Sequence, residues 1–153
     1  MFQQIRRMAS IATVSLALAC GLPAAAGPYS SLFVFGDSLV DTGNVFALTG
    51  GSVPAPPYAN GRFSNGPVWV ETLADGLGLT ADVAPVLLGG NNFAFGGART
   101  GASDVPPGLL TQTGFWSSLV PMADPDALYV ISAGSNDMRD ARNAFPGTTS
   151  DEA

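Results

Sequence analysis

The sequence predicts an α/β fold built on a parallel sheet, and two observations carry that expectation. Three short apolar runs, Leu32–Phe35, Asn92–Phe95 and Ala127–Ser132, show no polar alternation, as in strands buried on both faces. Segments with helical spacing lie between them, and the order strand, helix, strand, helix, strand implies layered helices with right-handed crossovers.

Taken in order, Leu32-Phe33-Val34-Phe35 is stopped by Gly36 and forms the first strand. From Thr49 to Asn65 the chain is rich in Gly, Pro, Ser and Asn, with Pro54, Pro56 and Pro57 close together, so it reads as a loop. Loops this long in compact domains are usually functional. Pro67 opens a helix in which Trp69, Val70, Leu73, Ala74 and Leu77 recur at helical spacing, and Gly78 closes it. Val83–Gly90 is a candidate edge strand, and Asn92–Phe95 is a second strand ended by Gly96-Gly97. Gly101–Gly108 is a loop, and Leu109–Val120 is a helix with Gly114 as its weak point. Pro121–Asp126 is a turn, and Ala127–Ser132 is the third strand, stopped by Gly134. After Asn136 apolar residues are sparse, with Phe145 as the lone anchor and no further strand. Doubly wound sheets commonly have about five or six strands, so the expectation is a domain incomplete at its C-terminus.

Composition narrows the function classes. The 153 residues are 46% hydrophobic, enough for a buried core, and 19 Gly with 12 Pro imply many turns. The six basic residues are all arginines, Arg6, Arg7, Arg62, Arg99, Arg139 and Arg142, set against 12 acids without a basic patch, which argues against nucleic-acid binding. There is no histidine and a single cysteine, so the chain lacks the commonest general base and the ligands of a usual zinc site.

The N-terminus reads as a processing segment. Arg6 and Arg7 precede the apolar run Ala9–Leu22, and Pro23-Ala24-Ala25-Ala26 ends in an A-x-A pattern, so residues 1–26 are expected to be a Sec signal peptide cut after Ala26. A membrane anchor is the alternative, but the run is shorter than the roughly 20 apolar residues of a spanning helix and no basic stop follows. A lipoprotein reading would use Cys20, with Ala17 an imperfect lipobox residue. Cleavage would leave residues 27–153 with four arginines against the same 12 acids, a formal charge of −8, and no cysteine. Such a domain owes its stability to its core.

Each predicted strand ends in a small polar cluster: Gly36-Asp37-Ser38-Leu39, Gly96-Gly97-Ala98-Arg99 and Gly134-Ser135-Asn136-Asp137. Parallel strands bring the three clusters to one edge, where open α/β sheets bind ligands. A hydroxyl, glycine N–H groups and a carboxamide gathered there suit acyl transfer, with Ser38 as nucleophile and N–H donors for the oxyanion. Singly, each cluster also reads as a strand stop, a helix cap or a turn.

These residues carry a family resemblance. Phe33-Val34-Phe35-Gly36-Asp37-Ser38-Leu39-Val40-Asp41-Thr42-Gly43-Asn44 resembles the first block of the GDSL, or SGNH, esterase/lipase family. Gly61-Arg62-Phe63-Ser64-Asn65-Gly66-Pro67-Val68-Trp69 is similar to a stretch of its branch of plant-type lipases and bacterial secreted or autotransporter esterases. Asn92–Ala98 resembles the second block and Ser132–Asp137 the third. The resemblance implies a three-layer α/β/α domain with a mostly parallel, doubly wound, flavodoxin-like sheet over residues 27–153. By position it also implies Ser38 as nucleophile and N–H donor, Gly97 as the second oxyanion N–H and the Asn136 side chain as the third donor. Asp37, Asp41 and Asn44 would brace the loop; Arg62 and Arg99 could bind an acidic substrate group, with a surface or structural role the favoured reading. Ser38 does not lie in a G-x-S-x-G elbow, so the α/β-hydrolase fold is not supported.

The family's fourth element, an Asp-x-x-His, is absent. The late acids Asp137, Asp140, Asp151 and Glu152 are poor bases for a serine proton at neutral pH. The expectation is therefore a secreted serine ester hydrolase, truncated and nearly inactive as written. The alternative is a non-catalytic secreted protein that keeps the pocket and binds an acyl or glycan ligand. The implied substrate is a small-molecule, lipid or glycan ester, with no metal or organic cofactor, no nucleic acid and no transmembrane helix in the mature chain. Export would place the protein in the periplasm, the medium, or the outer membrane as an autotransporter passenger.

Overall fold

The computed structural model describes residues 27–144; the expected export segment and residues 145–153 lie outside the described residues. The sheet centres on β1, Leu32–Gly36, which pairs in parallel with β2, Leu128–Ser132, in register from Leu32↔Leu128 to Gly36↔Ser132. On the other side of β1 runs the segment 91–95. Its backbone meets β1 through Val34 N–H to Asn91 O (3.1 Å), Phe93 N–H to Val34 O (2.7 Å) and Phe95 N–H to Gly36 O (3.1 Å). The spatial order is therefore second, first, third, as at the start of a flavodoxin-like sheet, with the switch point between β1 and β2.

Alternation along β1 builds two cores. Leu32 and Val34 face Val68, Val70 and Ala74 around helix α2, Trp69–Leu77, together with Val40, Val83 and Ala94. Phe33 and Phe35 face the opposite way, against Phe93 and Ala127 and against Leu109, Trp116 and Val120 on and just beyond helix α3, Leu109–Leu119. Trp116 meets Phe33, Phe35 and Tyr129 edge-on, a favoured aromatic geometry. Helix, sheet and helix thus form three layers, as the strand pattern requires of a central strand buried on both faces.

Local chemistry explains the helix ends. Val68 N–H donates to Glu71 Oε2 (2.8 Å), filling one of the open donors at the start of α2, and Gly78 ends the helix in the left-handed conformation at φ 73°. Pro67 precedes Val68 and lies just outside the helix, where the sequence placed it as the first helical residue. In α3, Gly114 faces open space and the helix runs through it.

Four expectations need revision. Val83–Gly90 is no edge strand: it makes a single bridge, Pro85↔Asn92, and a 3-10 turn at Val86–Leu88, because Pro85 offers no N–H and Gly89 turns left-handed at φ 89°. Asn92–Phe95 lies beside β1 but makes one bridge to it, Val34↔Asn92, and Ala94 N–H turns to the Asn92 side chain instead. A one-turn helix α1, Asn44–Leu48, stands where no helix was expected. After β2 the chain forms helix α4, Ser135–Ala144, where the sequence had placed no element.

Candidate active site

The three polar clusters follow β1, the 91–95 segment and β2, all running the same way, and so share one sheet edge. Asp37 N–H extends the β1–β2 ladder to Ser132 O (3.0 Å), and the chain then turns sharply, with Val40 and Asp41 N–H donating back to Asp37 O (3.2 and 3.1 Å). Leu39 N–H is held by Asp37 Oδ1 (3.0 Å). Ser38, half-buried, sits inside this turn.

The turn is fixed from below by buried polar side chains. Asp41 Oδ1 accepts the N–H groups of Gly43 (2.8 Å) and Asn44 (2.7 Å), and Oδ2 those of Val45 (3.3 Å) and Gly96 (2.9 Å). Burial pushes the Asp41 carboxyl above the usual carboxylate range, against the pull of those four donors. Asn44 Nδ2 donates to Asn92 O (2.7 Å) and Ala94 O (2.9 Å), and its Oδ1 accepts Leu87 N–H (3.2 Å). Asn92 answers in kind: Nδ2 donates to Val40 O (2.7 Å) and Thr42 Oγ1 (2.9 Å), and Oδ1 accepts Ala94 N–H (2.9 Å). The first two clusters are thereby riveted together.

The third cluster clasps both. Ser135 Oγ donates to Asp37 Oδ2 (2.6 Å), beside Ser38. Asn136 is buried at the start of α4, and its Nδ2 donates to Ala98 O (2.8 Å), next to Gly97. Asp137 accepts Thr100 N–H (3.1 Å) and Thr100 Oγ1 (2.7 Å), and the Thr100 hydroxyl holds its carboxyl below the ordinary value. Arg99 pairs with Asp140 across the same gap.

The two neighbouring glycines differ in what their N–H groups do. Gly96 N–H is committed to Asp41, and a Cβ on Gly96 would meet the Phe63 ring at 2.2 Å. Gly97 is left-handed at φ 84°, and its N–H has no acceptor among the described residues; the same holds for Ser38 N–H. Arg62 pairs with Glu71 through Nε to Oε2 (3.2 Å) and Nη2 to Oε1 (2.5 Å), with Nη1 on Asn60 O (3.0 Å). Burial acts to raise Glu71, but the Arg62 bonds and Val68 N–H outweigh it and hold the carboxyl below its ordinary value. An open cleft of about 680 Å³ beside this pair, lined by Thr42, Phe46, Pro85 and Leu88 among others, includes none of Ser38, Gly97 and Asn136.

A loop thus presents Ser38 at the end of β1, clasped to the second and third clusters. Residues 32–152 match the family described as GDSL-like Lipase/Acylhydrolase. The chain belongs to that family. Among its relatives, a phosphatidylcholine-sterol acyltransferase of Aeromonas hydrophila is 52% identical over 48 residues, 31% of this chain and 14% of that protein. A Pseudomonas putida protein from the trpE-trpG intergenic region is 36% identical over 80% of this chain and 24% of its own length. A GDSL esterase/lipase of Arabidopsis thaliana is 33% identical over 69% of this chain and 37% of its own length. The chain thus spans between 14% and 37% of these relatives. GDSL membership makes the chain part of an acyl ester hydrolase family. Among the described residues no helix is long and apolar enough to cross a membrane.

Sequence reasoning singled out no role for Gln112, Ser135 or Asn92, although all three hold the GDSL loops. Gln112 left a readable signal. It falls on the stripe Leu109, Trp116, Val120, where a lone polar side chain in an apolar row needs buried partners.

Proposed function

We propose that this chain supplies the nucleophile and oxyanion donors of an exported serine ester hydrolase. One observation carries the reading: the N–H groups of Asp37, Leu39, Gly96 and Ala98 all have acceptors, while those of Ser38 and Gly97 between them have none among the described residues. Buried or half-buried N–H groups are rarely left free, and two of them beside a serine suit an oxyanion. Asn136 adds a third donor, since one Nδ2 hydrogen goes to Ala98 O and the other has no acceptor among the described residues.

In this reading Ser38 Oγ attacks the ester carbonyl carbon while its proton passes to a base. The carbonyl oxygen takes the negative charge and receives the three donors. Collapse breaks the ester C–O bond, releases the alcohol with a proton from the base, and leaves an acyl-Ser38 that water hydrolyses by the reverse proton path. The 153 residues hold no histidine, and an ordinary carboxylate, with a pKa of about 4, is a poor acceptor for a serine proton at neutral pH, so this reading calls for a base that these residues do not supply. Residues 1–26 are read as the export signal that delivers the domain beyond the inner membrane.

The test is p-nitrophenyl ester hydrolysis by the full chain with and without added imidazole, beside Ser38→Ala. Missing bases in such sites cost on the order of 10⁶ in turnover, so little activity is expected alone and an imidazole-dependent increment is expected that Ser38→Ala abolishes. Asn136→Ala is expected to cut that increment by about 10²–10³. Equal rates for the native chain and Ser38→Ala at every imidazole concentration would overturn the assignment and favour a non-catalytic acyl- or glycan-binding protein.

A further inference from the structure

We infer that Gln112 is a positioning residue that sets the two oxyanion-donor loops relative to each other, an inference that rests on the esterase reading above. Gln112 is fully buried within α3, yet it makes no bond to its own helix through its side chain. Its Oε1 accepts Gly36 N–H (2.8 Å), and its Nε2 donates to Gly36 O (2.8 Å) and Pro107 O (2.9 Å). All of its amide bonding capacity but one acceptor lone pair is spent on backbone.

Both targets are next to proposed donors. Gly36 is the last residue of β1, two before Ser38, and its backbone is paired by the amide as a facing strand would pair it. Gly36 itself admits no side chain, because a Cβ there would lie 2.0 Å from Ser132 O. Pro107 follows Pro106, whose ring lies against Gly97, 3.4 Å from where a Cβ would stand. The same loop is tied down by Ser103 Oγ to Pro106 O (2.7 Å) and Leu109 N–H to Arg99 O (2.8 Å). One carboxamide therefore spans from the base of the Ser38 turn to the strut under Gly97. An apolar side chain of equal size would fill the same volume and hold neither.

The test is amide NMR of the full chain, comparing Gln112→Met, which keeps the volume, with Leu109→Ala, which weakens α3 packing but leaves the amide. Gln112→Met is expected to speed Gly36 N–H exchange about tenfold or more, the scale of one lost hydrogen bond, and to shift the Ser38 and Gly97 amide resonances. Leu109→Ala is expected to lower the melting temperature without moving those three amides relative to one another. Unchanged Gly36 exchange in Gln112→Met, or the same pattern of shifts in Leu109→Ala, would overturn the inference. If Gln112→Met does not fold, Gln112→Glu is judged by the same Gly97 shift, since it keeps an acceptor for Gly36 but loses the donors to Gly36 O and Pro107 O. The amide readout needs no turnover, so a failed Ser38 assay would refute the esterase reading and leave this result to stand or fall separately.

Discussion

Replacing Asn92 by leucine removes one side chain of similar volume and isolates the polar lattice beneath the Ser38 turn. Asn92 is fully buried and makes three hydrogen bonds through its amide. Thr42 Oγ1 survives the change because it still donates to Val83 O (2.5 Å). Val40 O and Ala94 N–H lose the amide that pairs them. An orphaned buried backbone group costs about 1–3 kcal/mol, so two cost about 2–6 kcal/mol. For a domain of this size, at roughly 3–5 °C per kcal/mol, that is a melting-point drop of about 6–30 °C. Urea titration followed by fluorescence of Trp69 and Trp116 measures it. Asn91→Leu is the control, because the Asn91 side chain makes no hydrogen bond among the described residues, and its backbone bonds to Val34 and Asp82 do not depend on it. That control is expected to stay within about 1 kcal/mol of the native chain. Equal losses in Asn91→Leu and Asn92→Leu would show that the lattice contributes nothing specific.

Other outcomes follow from neighbouring contacts. Asp41 has a raised pKa, so the stability it contributes is fully present below its ordinary value of 3.8 and is lost as pH rises through its higher folded value; Asp41→Asn should remove that component from stability measured by urea titration between acid and neutral pH. Glu71 is shifted the other way, so its contribution is present above its ordinary 4.5 and is lost as pH falls through the lowered folded value; Arg62→Leu should remove the part of this dependence that Arg62 supplies while costing less than about 1 kcal/mol at neutral pH, the pair being partly exposed. Gly96→Ala should destabilise by driving a methyl into the Phe63 ring, and Phe63→Ala in the same chain should recover part of the loss; strictly additive effects in that double-mutant cycle would refute the contact.

What the sequence disclosed tracks how local each signal was. β1 and β2 were legible as unbroken apolar runs and α2 and α3 from helical spacing, each with a glycine or proline at its end or just beyond it. α1 was invisible, since five residues between Gly43 and Thr49 are too few to show a period. α4 was missed because Met138 is the lone large apolar residue in Ser135–Ala144, and the helix is held by caps and loop contacts instead of a buried stripe. Val83–Gly90 misled because an apolar run is ambiguous until Pro85 and Gly89 are allowed to bend it. The positions of Ser38, Gly97 and Asn136 could be read from motifs, whereas Gln112 and Asn92 act on backbone 76 and 52 residues away in sequence, and no local pattern encodes such a partner.

The clasp at the start of α4 also bears on how the chain is made. Ser135 reaches Asp37 across 98 residues, and Asn136 reaches Ala98 across 38. At a synthesis rate of about 5–20 residues per second, Asp37 leaves the ribosome roughly 5–20 s before the hydroxyl that secures it. During that interval the side chains that tie the Ser38 turn are Asp41, Asn44 and, later, Asn92 and Gln112. Both ties from α4 thus depend on the last part of the described chain to be made, and a polypeptide ending before residue 135 lacks the outer latch on the turn.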